Sequence, residues 1–253
     1  MGIFKKFKKS ESKQLTGSYS DKGRRDNQED NFLITKEFNN KRLLLVADGL
    51  GGLEYGEYAS QQVVEAFQNF FVQIENFNSP KEFLSRTALV VASMIMNKSV
   101  EDERYQNCAS TLSGFLIEGN HYFTVNVGDS RVYHFSDKKL KQITKDQSFV
   151  QFLLDKGDIT QEEAFTHPKK NIVNSIISSK ISNLKTDITG PHDLKKGDIL
   201  FACTDGVHDA LKIEEIEQIV KKNMKNKSLS EIIGKKAFDA GSKDNITICY
   251  YKH

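Results

Sequence analysis

Tryptophan is absent, and proline and cysteine each occur only 3 times in 253 residues. Proline this scarce leaves no candidate for a rigid interdomain linker. The three thiols, Cys108, Cys203 and Cys249, are odd in number, include no CxxC pair and place two members inside apolar runs. That pattern argues against a disulfide framework or a thiolate metal site and for thiols packed in a core. No run of about eighteen apolar residues is present, so no transmembrane helix is expected. A secretory leader pattern is also missing at the start, and the expected location is the cytoplasm.

Charge of one sign is lacking as well. The formal net charge is +2, but residues 1 to 14 hold five lysines against Glu11, a net of +4, leaving −2 for the rest. A body this close to neutral is not a nucleic-acid binder by charge. Residues 1–13 read as a basic, flexible tail in which Ile3, Phe4 and Phe7 alternate with lysines. Such a tail could touch an anionic membrane surface weakly and reversibly. Myristoylation of Gly2 is not expected, because Lys6 stands where that motif wants Ser or Thr.

What the chain does have is a set of apolar runs with an aspartate at or beside one end. Leu43 to Val46 runs into Ala47-Asp48-Gly49-Leu50-Gly51-Gly52, and a helical pattern follows. Tyr122 to Val127 ends at Gly128-Asp129, Ile199 to Cys203 ends at Thr204-Asp205-Gly206, and Asp244-Asn245 opens Ile246 to Tyr251. Alone, an Asp-Gly is ordinary turn chemistry; four strand-end carboxylates need a common explanation. The glycines after Asp48 do not supply it as a nucleotide loop. The position three after Gly51 is Glu54, which breaks the dinucleotide fingerprint, and no Gly-Lys-Ser/Thr follows.

Along the rest of the chain, strand-like Leu15 to Ser20 and Asn31 to Thr35 flank the charged loop Gly23 to Asp30. Ala59, Val63, Ala66, Phe67, Phe70, Phe71 and Ile74 fall at helical spacing, and Ser79-Pro80-Lys81-Glu82 opens a second helix with a capping box. Ser110 to Thr144 alternates with period two and reads as a β-meander. Short helical pieces at Phe149–Leu154 and from Thr160 interrupt the strands and read as a flap at about 145–180. Strands then resume near Ile188 and at Ile199, followed by helices around Ile213 to Val220 and Ser228 to Ala240. Paired helices inserted among antiparallel strands predict an α+β layering in one domain over 14–253.

Several carboxylates without His or Cys form an oxygen-rich set, suited to Mg²⁺ or Mn²⁺. Two such ions sharing a carboxylate activate water and bind a phosphoryl oxygen, which is the chemistry of phosphate-ester hydrolysis.

Taken in order, Arg25-Asp-Asn27-Gln-Glu29-Asp30, Asp48-Gly-Leu-Gly-Gly52 with Gly56-Glu57 and Ala59-Ser60, Gly128-Asp-Ser-Arg131, Thr204-Asp-Gly206 and Asp244-Asn-Ile-Thr247 carry a family likeness. The chain resembles the type 2C metal-dependent (PPM) Ser/Thr protein phosphatases, bacterial branch, over roughly 14–251. The stretch from Ile143 through Gly157-Asp-Ile-Thr to His167-Pro168 is similar to the flap of bacterial members. The resemblance implies a central antiparallel β-sandwich flanked on both faces by paired α-helices, with two Mn²⁺ or Mg²⁺ at one end. It also implies that Asp48 bridges the metals, that the Gly49 carbonyl, Asp205 and Asp244 complete their ligands, and that Glu29 and Asp30 hold metal-bound waters. Asp129 matches a residue that helps bind a possible third metal, and Arg25 the arginine that grips the substrate phosphate. With Asp48, Arg25 would carry catalysis.

Two departures from the family pattern stand out. Leu50 occupies the place where some members have a His proposed as general acid, and Gln147 stands in the flap where a His is common. His208 lies three residues past Asp205, where a packing or surface His is the plainer expectation. The implied activity is a phosphoserine/phosphothreonine phosphatase that opposes a Ser/Thr protein kinase in signalling, acting as a monomer on phosphoproteins. The alternative is a catalytically weak or silent phosphoprotein-binding module of the same fold, which a missing Asp48 would have marked. A nuclease is disfavoured by the charge of the body.

Overall fold

The computed structural model describes residues 16–50 and 55–253. The basic tail assigned to residues 1–13 lies outside the described residues, as do Gly51 to Glu54. One five-stranded antiparallel sheet has the order β1 (Thr16–Asp21), β13 (Ile246–Lys252), β12 (Ile199–Cys203), β8 (Arg131–Ser136), β9 (Lys139–Gln142). The other five-stranded antiparallel sheet has the order β11 (Asp187–Asp193), β7 (His121–Val127), β6 (Leu112–Glu118), β3 (Lys41–Ala47), β2 (Asn31–Ile34). Helices α1 (Gly56–Phe71) and α2 (Pro80–Glu101) cover the second sheet, and α6 (Ile213–Asn223) and α7 (Leu229–Asp239) cover the first.

The apolar runs are continuous because their strands are buried on both faces. In β3, Leu43, Leu45 and Ala47 pack under α1 and α2, whereas Leu44 and Val46 face the opposite sheet. The same division runs through β12, where Ile199, Phe201 and Cys203 meet α6 and α7 while Leu200 and Ala202 fill the space between the sheets. Three apolar layers therefore separate four layers of secondary structure, in the order α-β-β-α. All three cysteines are buried and free, one in each apolar layer.

The helix predicted from Ser79 begins with the Ser79 hydroxyl accepting from the Glu82 amide at 3.2 Å and with Pro80 in the first turn. The reciprocal half differs from a capping box, since the Glu82 carboxylate accepts from the amide of Asn78, one residue earlier, at 2.8 Å. At Thr160 both halves of the box form and start α4 (Gln161–Thr166). The strands predicted as one meander are divided between the sheets: β6 and β7 belong to one, β8 and β9 to the other. Period-two alternation marks strands but says nothing of which sheet receives them, and the chain changes sheets at Gly128–Ser130. Among the described residues no helix is long and apolar enough to cross a membrane.

Candidate active site

Every strand end named in the sequence reading lies at one end of the sandwich. The register pairs Ala47 at the end of β3 with Asn31 at the start of β2, and Cys203 at the end of β12 with Ile248 near the start of β13. Asp48, Asp205, Asp244 and Glu29 therefore meet, and with Arg25, Gly49, Leu50 and Asp129 they line a cleft of about 450 Å³. Asn171 and Val173 close one side of it, reaching in from the segment read as a flap.

Close backbone approach makes this possible. A Cβ on Gly56 would stand 2.8 Å from the Gly49 carbonyl oxygen and 2.8 Å from a Glu29 carboxylate oxygen. Glycine at both positions lets the start of α1 abut the turn after Asp48. Asp48 is then fixed from behind by Thr111, whose hydroxyl accepts from the Asp48 amide at 3.0 Å and whose own amide donates to the Asp48 carbonyl at 2.9 Å. The same hydroxyl shares a 2.8 Å hydrogen bond with Ser130, tying Asp48 to the crossover that carries Asp129.

The electrostatics are those of anions crowded out of water. Burial raises the Asp48 carboxyl well above its usual range, and Asp205, Asp30, Asp129 and Asp244 add to the rise. Asp205 is likewise raised by burial and then by Asp129 and Asp244. Burial also pushes Asp129 up to about 7, with Asp146 and Asp209 adding to it. Asp30 rises to about 7 through burial, against the lowering effect of its hydrogen bond from Thr204, 2.7 Å long. Glu29 is raised by burial and relieved in part by Arg25. Arg25 and Arg131 offset only part of this crowding of anions.

The donor set fits a hard divalent cation. It is all oxygen, and Oδ1 of Asp205 is buried with no hydrogen-bond partner, a cost that a metal would remove. Among the described residues no three His, Cys, Asp or Glu side chains stand close enough together to hold one ion between them, although several line the same cleft. An ion that binds through one or two carboxylates and keeps several waters, as Mg²⁺ does, needs no such trio.

Arg25 is at the cleft and half exposed, but its guanidinium is engaged with Asp244, at 2.6 Å, and with the Lys243 carbonyl, at 3.1 Å. His208 is buried, and its Nε2–H donates to the Asp129 carbonyl at 3.1 Å. Burial holds it well below the usual imidazole range, so the ring is neutral. It is a packing histidine that supports Asp129, and it does not line the cleft.

Several supporting residues were not assigned roles from the sequence. Asn245 accepts from the Glu29 amide at 2.8 Å and donates to the carbonyls of Lys22 and Asn27, each at 2.9 Å. The Ser60 hydroxyl donates to the Glu29 carbonyl. Arg131 clasps the buried Asp146 through three contacts of 2.6–3.0 Å. Asn245, Ser60 and Arg131 sit inside motifs the sequence displayed, and that membership was the available signal; Thr111 offered none.

Comparison with known proteins agrees with this geometry. The family model described as protein phosphatase 2C matches residues 19–231. The serine/threonine phosphatase stp of Listeria monocytogenes is 29% identical over 233 residues, covering 90% of this chain and 92% of its own. PhpP of Streptococcus pneumoniae is 31% identical over 210 residues, 82% of this chain and 84% of its own. Among solved structures, Stp1 of Staphylococcus aureus superposes with a TM-score of 0.86 at 29% identity, covering 94% of each chain. The PstP catalytic domain, solved with 2 manganese ions, gives 0.76 at 28% identity, covering 94% of this chain and 96% of that one. With the family model matching residues 19–231 and the layered sandwich shared with these solved structures, the chain belongs to the protein phosphatase 2C family.

Proposed function

We propose that this protein is a metal-dependent serine/threonine protein phosphatase that hydrolyses phosphoserine and phosphothreonine in proteins. The observation that carries this reading is the convergence of Asp48, Asp205, Asp244, Asp129 and Glu29 on one cleft with Arg25 at its edge. Asp48, the Gly49 carbonyl, Asp205 and Asp244 would hold two Mn²⁺ or Mg²⁺, Glu29 and Asp30 would act through water, and Asp129 would serve a third ion. Bound there, the ions supply Lewis-acid activation of a water and neutralise the phosphoryl oxygens.

The chain's own residues do the rest. Arg25 offers a planar fork for two phosphate oxygens, and taking a phosphate requires it to exchange Asp244 for that ligand. Thr204 orients Asp30, and Thr111 holds the backbone of Asp48. Leu50 cannot donate a proton and the His208 N–H is committed to the Asp129 carbonyl, so neither serves the leaving alkoxide, and a water held in the cleft would supply its proton. Residues 14–253 act as one catalytic domain, with about 145–180 as its flap.

In the cell the protein works as a cytoplasmic monomer on phosphoproteins and opposes a Ser/Thr kinase. Its slightly negative body does not suit nucleic acid, and any membrane contact would come from the basic tail. The silent binding module is not favoured, because Asp48 is present. Release of inorganic phosphate from a phosphothreonine peptide, with Mn²⁺ and then with excess chelator, tests the reading. Turnover that depends on the metal is expected; no turnover from folded, Mn²⁺-supplied protein would overturn it.

A further inference from the structure

Gln147 has all four of its polar groups engaged, and they reach three separate segments. Its amide N–H donates to the Gly128 carbonyl at 2.9 Å, and its side-chain Oε1 accepts from the Gly128 amide at 2.9 Å. Its Nε2 donates to the Lys185 carbonyl at 2.9 Å, and its own carbonyl accepts from the Asn174 amide at 2.6 Å.

Each of those segments bears on the cleft. Gly128 is the residue before Asp129 and has φ +103°, and a Cβ there would stand 2.7 Å from the Thr111 methyl. Gly128 therefore packs directly against Thr111, the residue behind Asp48. Asn174 follows Val173 directly, and this segment carries Asn171 and Val173 to the cleft wall. The Phe149 amide donates to the Ile172 carbonyl at 2.8 Å, and Ser148 pairs with Val173 in an isolated antiparallel bridge, so the segments that enter and leave the helical part of the flap are joined in a short stem. Lys185 is held to the same stem through Ser175, whose hydroxyl accepts from the Lys185 amide at 2.8 Å.

We propose that Gln147 is a positioning residue that fastens the flap stem to the Asp129 crossover and so sets how far Asn171 and Val173 stand from the carboxylates. It touches neither substrate nor reacting atoms. An amide side chain suits the task because it presents one acceptor and one donor about 2 Å apart, and neither changes with pH. The consequence for catalysis rests on the phosphatase reading; the consequence for flap order does not.

The test compares wild type with Gln147→Met, which keeps the length and loses both side-chain hydrogen bonds, and with Gln147→His at pH 8. A neutral imidazole again offers one acceptor and one donor. Two readouts are needed: amide hydrogen exchange across residues 171–174, and KM against kcat for a phosphothreonine peptide. In Gln147→Met, exchange at 171–174 rises at least tenfold while β6 and β7 stay protected, and peptide KM rises about fivefold or more with kcat within twofold. Gln147→His returns both values toward wild type.

Wild-type exchange and wild-type KM in Gln147→Met would overturn the proposal, as would a rise in exchange spread evenly over the whole sandwich. If Gln147→Met does not fold, Gln147→Glu, which keeps the acceptor for Gly128 and loses the donor to Lys185, decides by the same exchange readout. Failure of wild type to hydrolyse any phosphate ester would instead strike the phosphatase reading and leave the exchange result to stand alone.

Discussion

Asp48 sits where stability and function conflict. Four neighbouring carboxylates and burial both oppose its charge, so the folded chain without metal carries a repulsion that the unfolded chain lacks. The direction with pH follows from these raised values. Asp129 and Asp30, near 7 when folded, bind more protons there than an unfolded Asp does, so their contribution to stability falls as pH rises from about 4 to about 7. The metal-free Asp48→Asn variant should therefore unfold at a higher urea midpoint than metal-free wild type at pH 8, with the gap narrowing toward pH 5. Equal midpoints at both pH values would show that the cluster is not repulsive. At the cleft edge, Arg25→Ala should lower kcat/KM on a phosphopeptide by about 10²-fold, comparable to removing one oxyanion donor. An unchanged kcat/KM would remove Arg25 from phosphate binding.

The carboxylates were legible because each stands beside an apolar run that could only be a buried strand. The engagement of Arg25 with Asp244 and of His208 with the Asp129 carbonyl was not legible, since both join residues dozens to hundreds of positions apart. Thr111 was invisible for a related reason: a threonine at the start of a strand is ordinary, and only the fold shows its hydroxyl behind Asp48.

Among elements, α1 follows from spacing: Ala59, Val63, Ala66, Phe67 and Phe71 are buried as predicted, Phe70 is half-buried, and Ile74 is buried in a short turn past the end of the helix. Phe67 is fully buried and meets Phe83 of α2 edge to face, with ring centres 5.9 Å apart. Phe67→Ala should cost about 3–5 kcal/mol by urea denaturation. Loss of the cap in Ser79→Ala should cost about 1 kcal/mol, and a larger loss would mean that the cap anchors more than its own helix. The short strands β4 (Gly49–Leu50), β5 (Ala109–Ser110) and β10 (Ile177–Ser178) were missed, because two residues cannot display a period. They nonetheless form a small sheet directly beside the cleft, joining Gly49 and Leu50 to Ala109 and Ser110.

For the whole molecule, two sheets with doubly buried strands leave only one arrangement that covers every apolar face: sheets against each other and helices outside. That placement collects Asp48, Asp129, Asp205 and Asp244 at one end, where a bound divalent cation would offset their mutual repulsion. Mn²⁺ at about 100 times its dissociation constant should stabilise the protein by about 2.7 kcal/mol for one site, seen as a rise in Tm that chelator reverses. Asp48→Asn should lose most of that rise. The most direct measurement is turnover of a phosphothreonine peptide by Asp48→Asn beside wild type, at saturating Mn²⁺ and with both proteins shown to be folded. Turnover at the background rate in the variant is the expected result; near-normal turnover would contradict a two-metal site built on Asp48.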